Sequence, residues 1–191
     1  MSDEAPRIRL TDPRAMRAYA HPLRLKLVGL LRKGGPHTAT QAAAALGDTV
    51  PNCSFHLRQL AKYGLVERAA AADGRERPWR ATAMTTSWDD SGRDPATSAA
   101  ADHLTATIIT GYFDLAQAWL DRRAAESAEW REVTGIGDQT LYVTSDELTD
   151  IHAKLDEILE AYRPRQSDPS ARPEGSRPIN MIRLTLPWDP R

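Results

Sequence analysis

The sequence predicts a mostly α fold with a small amount of β structure, an α+β chain, on three observations. Four short helical patterns crowd into residues 11–63, each with its own start and stop signals. Two strand-like pieces follow, separated by the strong turn signal Asp73-Gly74. One long apolar-periodic stretch then opens at Asp94-Pro95. Two short helices around a Gly-centred turn make a helix-turn-helix, and a hairpin after it makes a winged helix. The full expectation is a winged helix-turn-helix domain, then a long dimerisation helix, then a small strand-helix-strand unit.

Residues 1–10 read as a loose arm. Thr11-Asp12-Pro13 starts the first helix, with Thr11 as cap and Pro13 in the first turn. His21-Pro22 interrupts it. Pro22 starts a second helix, whose apolar face is Leu23, Leu25, Leu27, Val28, Leu30 and Leu31, and Gly34-Gly35-Pro36 stops it. Thr38 or Thr40 opens a third, Ala-rich helix that Gly47 ends as a left-handed cap. Thr49 caps a fourth, which carries Pro51 in its first turn and runs to about Tyr63-Gly64. Residues 65–69 and 78–82 read as the two strands of the wing.

Residues 84–94 are polar and turn-rich and read as a linker. Asp94 caps the long helix and Pro95 takes its first position. Leu104, Ile108, Tyr112, Leu115 and Trp119 recur along it at helical spacing, and their seam is the expected dimer interface. Beyond it, residues 139–143 read as a strand and Ser145 as the cap of a further helix. That helix collects Leu148, Ile151, His152, Leu155, Ile158, Leu159 and Tyr162 on one face. Residues 164–178 form a Pro-rich loop, and 179–187 alternate like a strand. The domains are thus an arm (1–10), the winged helix (11–83), a linker (84–94) and a dimerisation and possible effector domain (95–191).

Composition narrows the function. The 191 residues are 41% hydrophobic and 27% charged. No apolar run approaches the roughly 20 residues of a spanning helix, and the first ten residues lack a signal-peptide pattern. The expectation is therefore a cytoplasmic, nucleoid-associated protein with no membrane partner. A single cysteine, Cys53, excludes an internal disulfide and a Cys-rich zinc site. The net charge of -1 conceals an asymmetry. Residues 1–83 carry 14 Lys and Arg against 7 Asp and Glu, whereas residues 84–191 carry 11 against 19. A basic first half suggests an anion-binding module.

The fourth helix carries the functional signal. Cys53, His56, Leu57 and Leu60 fall in the inward phase. The opposite side shows Pro51, Asn52, Ser54, Phe55, Arg58, Gln59 and Lys62. That set suits a helix in the major groove of double-stranded DNA. Asn pairs with adenine, Arg with guanine, Ser with several base edges, and an apolar ring meets the thymine methyl. The base-reading set is Asn52, Ser54, Phe55 and Arg58. The backbone set is Thr49, Gln59 and Lys62 with Arg75, Arg77 and Arg80 of the wing. Phe55 has a second reading, packing on a neighbouring helix or at a protein interface.

Residues 14–82 resemble the winged-helix domain of ArsR/SmtB-type transcriptional regulators. The resemblance rests on His21-Pro22-Leu23-Arg24-Leu25, on Ala45-Leu46-Gly47, on Ser54 with His56-Leu57 and Leu60, and on Gly64-Leu65-Val66. It implies a homodimeric repressor on an imperfect palindrome, usually relieved by a ligand. The chain departs from the family's metal sensors. Its third helix has no Cys, Asp102-His103 lacks the ligand spacing, and Asp150-Ile151-His152 is followed by Arg163 and Gln166 where further donors are needed. No metal and no cofactor is expected, and His152 and His56 read as packing residues. Cys53 sits near a helix N-terminus, which favours a reactive thiol, but its inward phase favours a small buried hydrophobe.

No phosphate loop, nucleophile elbow or His-Glu-x-x-His motif is present, so no enzyme is expected. The rival reading is a winged-helix protein-interaction module. A small organic effector in an aromatic pocket near Tyr112, Trp119, Trp130 and Tyr142 is a further expectation.

Overall fold

The first helix shows how local chemistry sets each boundary. Helix α1 (Pro13–Tyr19) is capped by Asp12, whose Oδ1 accepts from Arg14 N at 2.8 Å; Asp12, not Thr11, is therefore the cap. His21 caps α2 (Pro22–Gly34), its Nδ1 accepting from Leu23 N at 3.2 Å. Thr38, not Thr40, opens α3 (Ala39–Leu46) through a reciprocal box with Gln41. Gly47, at φ 65°, ends it in the left-handed region. Thr49 caps α4 (Val50–Lys62). The computed structural model that shows these elements describes residues 7–70, 77–88 and 94–188.

After α4, strand β2 (Val66–Arg68) pairs antiparallel with β3 (Trp79–Ala81), in the register Val66 to Ala81 and Arg68 to Trp79. A backbone bridge from His37 to Trp79 widens this wing base. The Asp73-Gly74 turn and Arg75 lie outside the described residues.

Two expectations fail at the edges of the winged helix. The arm is not loose through its whole length: Arg7–Leu10 forms a strand, placed first in the chain as β1. The linker is likewise structured in part, because Thr85–Trp88 forms β4 and pairs parallel with β1. The reason is packing. Leu10 joins the core at 3% exposure, and strand pairing carries it there. Arg32 of α2 fixes β4 in place, donating to Ala83 O at 2.8 Å and Thr86 Oγ1 at 2.6 Å.

Helix α5 (Pro95–Arg122) begins at Asp94, whose Oδ1 accepts from Ala96 N and Thr97 N. The chain divides into two compact units, Met1–Leu115 and Ala116–Arg191, so the division falls inside α5 and not at 84–94. The core of the first unit collects Met16, Leu27, Val28, Leu57, Leu60, Leu65, Val66 and Trp79. Ala100, Ala101 and Leu104 of α5 belong to the same core. Leu104 is fully buried there and cannot serve a dimer seam, which corrects its assignment from spacing. Ile108 packs partly against this core.

The second unit holds α6 (Ala128–Val133), α7 (Ser145–Glu160) and α8 (Pro164–Ser167). Its expected strands at 139–143 and 179–187 are not formed, so the strand-helix-strand unit is corrected to helices joined by irregular chain. Alternation alone does not make a strand; a paired backbone does. The last segment is held to α7 by side chains instead, Arg183 to Asp156 at 2.8 Å and His152 to Thr185 at 3.2 Å. Thr144, not Ser145, caps α7, in a box with Glu147. No described residue of this unit is fully buried. Ile158 and Tyr162, expected on one packed face, are 63% and 54% exposed. Among the described residues no helix is long and apolar enough to cross a membrane.

Candidate nucleic-acid interface

Helix α4 is amphipathic by construction. Cys53, His56, Leu57 and Leu60 are buried, as their spacing implies. Asn52, Phe55, Arg58 and Lys62 are exposed, and Ser54 and Gln59 are half-buried beside them. Phe55 is 48% exposed and sets its ring edge-to-face with His56, centroids 5.2 Å apart. It stands among the polar side chains Asn52, Ser54 and Arg58 on the outward side of the helix.

The side chains on this face are oriented before anything binds. Arg58 Nη1 donates to Ser54 Oγ at 3.3 Å, one helical turn back. Asn52 Nδ2 donates to Asp48 Oδ1 at 2.9 Å, which also accepts from Thr49 N at 2.6 Å. Thr49, expected on a DNA backbone, uses its hydroxyl to cap the helix, accepting from Asn52 N.

In the wing, Arg80 donates to Glu67 Oε1 from Nε and Nη2, at 2.8 and 2.7 Å. The cross-strand register sets Glu67 opposite Arg80 and offsets that charge locally. Arg68, which sequence reading missed, lies over the Trp79 ring at 3.9 Å and donates to Arg77 O. Its signal was its place opposite Trp79, visible only once the register is known. Arg77 is exposed beside it.

A second missed group stands behind α4. His56 stacks on His21 with centroids 4.4 Å apart, and its Nδ1 accepts from Arg24 Nε at 3.0 Å. Arg24 also donates to Ala18 O at the end of α1. His21, Arg24 and His56 thus tie the end of α1 and the start of α2 to α4. Burial, then the nearby His21 and Arg24, pulls the His56 pKa down, with Asp48 opposing. Burial and Arg24 pull His21 the same way. Burial pushes the Cys53 thiol up, and its side chain is wholly covered, which fits a packing residue and not a reactive one.

The pH dependence follows. Unfolded, these histidines titrate near the ordinary value of 6.5; folded, they titrate lower. As pH falls through 6.5 the unfolded chain binds more protons, so stability declines from there down to the folded pKa values. Denaturant midpoints measured from about pH 8 to 5 should fall with acid, and His56→Gln should flatten the dependence. A midpoint that rises with acid contradicts it.

The other expected sites are less gathered. Along α5, Tyr112 is 39% exposed while Leu115 and Trp119 are half-buried. Phe113, which the spacing argument passed over, is 67% exposed. Tyr142 is 96% exposed, and Arg177 caps the Trp130 ring at 4.2 Å while pairing with Glu126 at 2.8 Å. Among the described residues no group of three or more His, Cys, Asp or Glu is placed to hold a metal ion.

Residues 19–69 match a family model described as a helix-turn-helix domain. No curated protein matches the chain. Similar solved structures include the homodimeric winged helix-turn-helix DNA-binding domain Mb0332 from Mycobacterium bovis, a possible ArsR-family transcriptional regulator. It is 23% identical, over 57% of this chain and 77% of that one, with a TM-score of 0.33. A possible transcriptional regulator for arsenical resistance is 29% identical over 60% and 96%, TM-score 0.32. MepR, a transcription regulator of the Staphylococcus aureus multidrug efflux pump MepA, is 16% identical over 77% and 90%, TM-score 0.30.

Proposed function

Residues 19–69 being a helix-turn-helix domain within a winged-helix unit, we propose that the chain is a transcriptional regulator. It binds double-stranded DNA as a homodimer, reads a palindromic operator and represses from it. The observation that carries this reading is the outward face of α4. Phe55 lies open there among Asn52, Arg58 and Lys62, on a helix whose opposite face is core.

Each side chain has a role that its chemistry fits. Asn52 pairs with adenine and Arg58 with guanine; Ser54 supports Arg58, and the Phe55 ring meets a thymine methyl. Lys62, Gln59 and Arg77 contact phosphates, and Arg80 joins them only by sharing its charge with Glu67. Thr49 serves through its capped backbone, at the positive end of the helix. The dimer forms along the outward side of α5, where Tyr112 and Phe113 stand exposed. A two-fold axis there sets two recognition helices about 34–36 Å apart, one DNA turn.

Enrichment of bound duplexes from a random-sequence pool tests the reading. It should return a motif of two inverted half-sites. Failure to enrich any motif, with a partner protein retained instead, would favour the protein-interaction module. Phosphate contacts have their own signature. Lys62→Ala and Arg77→Ala should weaken binding to all sequences alike, and each should reduce the slope of log affinity against log salt by about 1. An unchanged slope removes the residue from the contact set.

A further inference from the structure

We propose that Asp48 is a specificity-determining positioning residue, which fixes the end of the Asn52 carboxamide offered to DNA. The inference rests on the DNA-reading assignment of α4 made above. Asp48 lies between the left-handed Gly47 and the cap residue Thr49, and one of its oxygens performs two tasks. Oδ1 accepts from Thr49 N at 2.6 Å, at the entry to α4, and from Asn52 Nδ2 at 2.9 Å, on the first outward-facing polar side chain.

The chemistry of the pair settles the orientation. An ionised carboxylate has acceptors only, so it faces the nitrogen end of an amide. Turning the amide over would set Asn52 Oδ1 against a carboxylate oxygen. Hydrogen bonds from Asn52 and Thr49 hold the Asp48 carboxyl below the usual carboxylate range, so it stays ionised at neutral pH. With one N–H engaged, Asn52 keeps its Oδ1 acceptor and one N–H donor. Adenine presents an amino donor and an N7 acceptor in the major groove, which takes that pair. Guanine presents two acceptors there and does not. Asp48 therefore selects adenine through Asn52 without touching a base. Its own charge, near the phosphates, lowers affinity for DNA of any sequence.

The test compares the full-length chain with Asn52→Ala, Asp48→Ala and Asp48→Asn. Motifs are selected from a random duplex pool, and affinity for a random duplex is measured alongside. The wild type should show an adenine in each half-site that Asn52→Ala flattens. Asp48→Ala should flatten that same position, with about a tenfold loss of discrimination and equal or tighter binding to random DNA. Asp48→Asn keeps an acceptor for Thr49 N but adds a donor, so the Asn52 amide is free to turn. It should broaden the same position while the cap stays intact.

A retained adenine preference in both Asp48 variants overturns the proposal, and so does an Asn52→Ala motif identical to wild type. An equal loss of binding on every sequence also overturns it, since Asp48 would then be a structural cap alone. A wild type that selects no motif overturns the DNA-reading assignment itself, whereas failure confined to the Asp48 variants leaves that assignment standing.

Discussion

Leu104→Ala should lower the unfolding free energy by about 2–5 kcal/mol. Leu104 is fully buried in the core that Leu27, Leu57 and Leu60 also build. Alanine is the better helix former, so α5 itself does not suffer. The loss is the transfer of a buried leucine plus the cavity it leaves. Denaturant titration of wild type and variant measures it at unchanged slope. The oligomeric state should not change. A variant of wild-type stability that dissociates would return Leu104 to the dimer seam.

Phe113→Asp should do the opposite. Phe113 is 67% exposed, so folding stability should move by no more than about 0.5 kcal/mol. A charge on the outward side of α5 should yield monomers in sedimentation. Operator affinity should fall by about 10²–10⁴-fold, because two half-sites then lose their linkage. Tyr112, one residue before it and exposed, supports the same face. A wild type that sediments as a monomer at micromolar concentration contradicts the dimer. So does a Phe113→Asp variant that stays dimeric and binds as before.

The contrast between these two positions shows what was legible in the sequence. Spacing placed Leu104 and Tyr112 on one seam, because both sit on one apolar stripe of α5. Spacing does not say what a stripe packs against, and the stripe turns from core to open surface along its length. The inward phase of α4 was legible because its core partners, Leu27 and Val28 of α2 among them, belong to a strong apolar repeat. The caps at Gly47, Thr49 and Asp94 were legible, and Thr38 as one of two candidates, because each is a local reaction of side chain and backbone.

Pairings remote in the chain were not legible. Four residues of β1 and four of β4 carry too little pattern to name each other across more than seventy residues. The same holds for Arg80 with Glu67, and for His21 and Arg24 with His56. In the second unit the error ran the other way. Residues 179–187 alternate as a strand would, but Arg183 and Thr185 hold them to α7 by side chains, and among the described residues they form no strand. Asp48 was not legible because nothing in the sequence marks its bond to Asn52 at the start of α4.

The most direct measurement is the affinity of the full-length chain for duplex DNA across a salt series. If Lys62, Arg77 and the α4 face capture DNA as proposed, counterions are released, and log affinity should fall linearly with log salt, at about 0.9 per phosphate neutralised. The slope should appear on random duplex as well as on the selected operator, with the operator bound more tightly at every salt concentration. No binding to any duplex at low salt, or an affinity that ignores salt, would contradict the account.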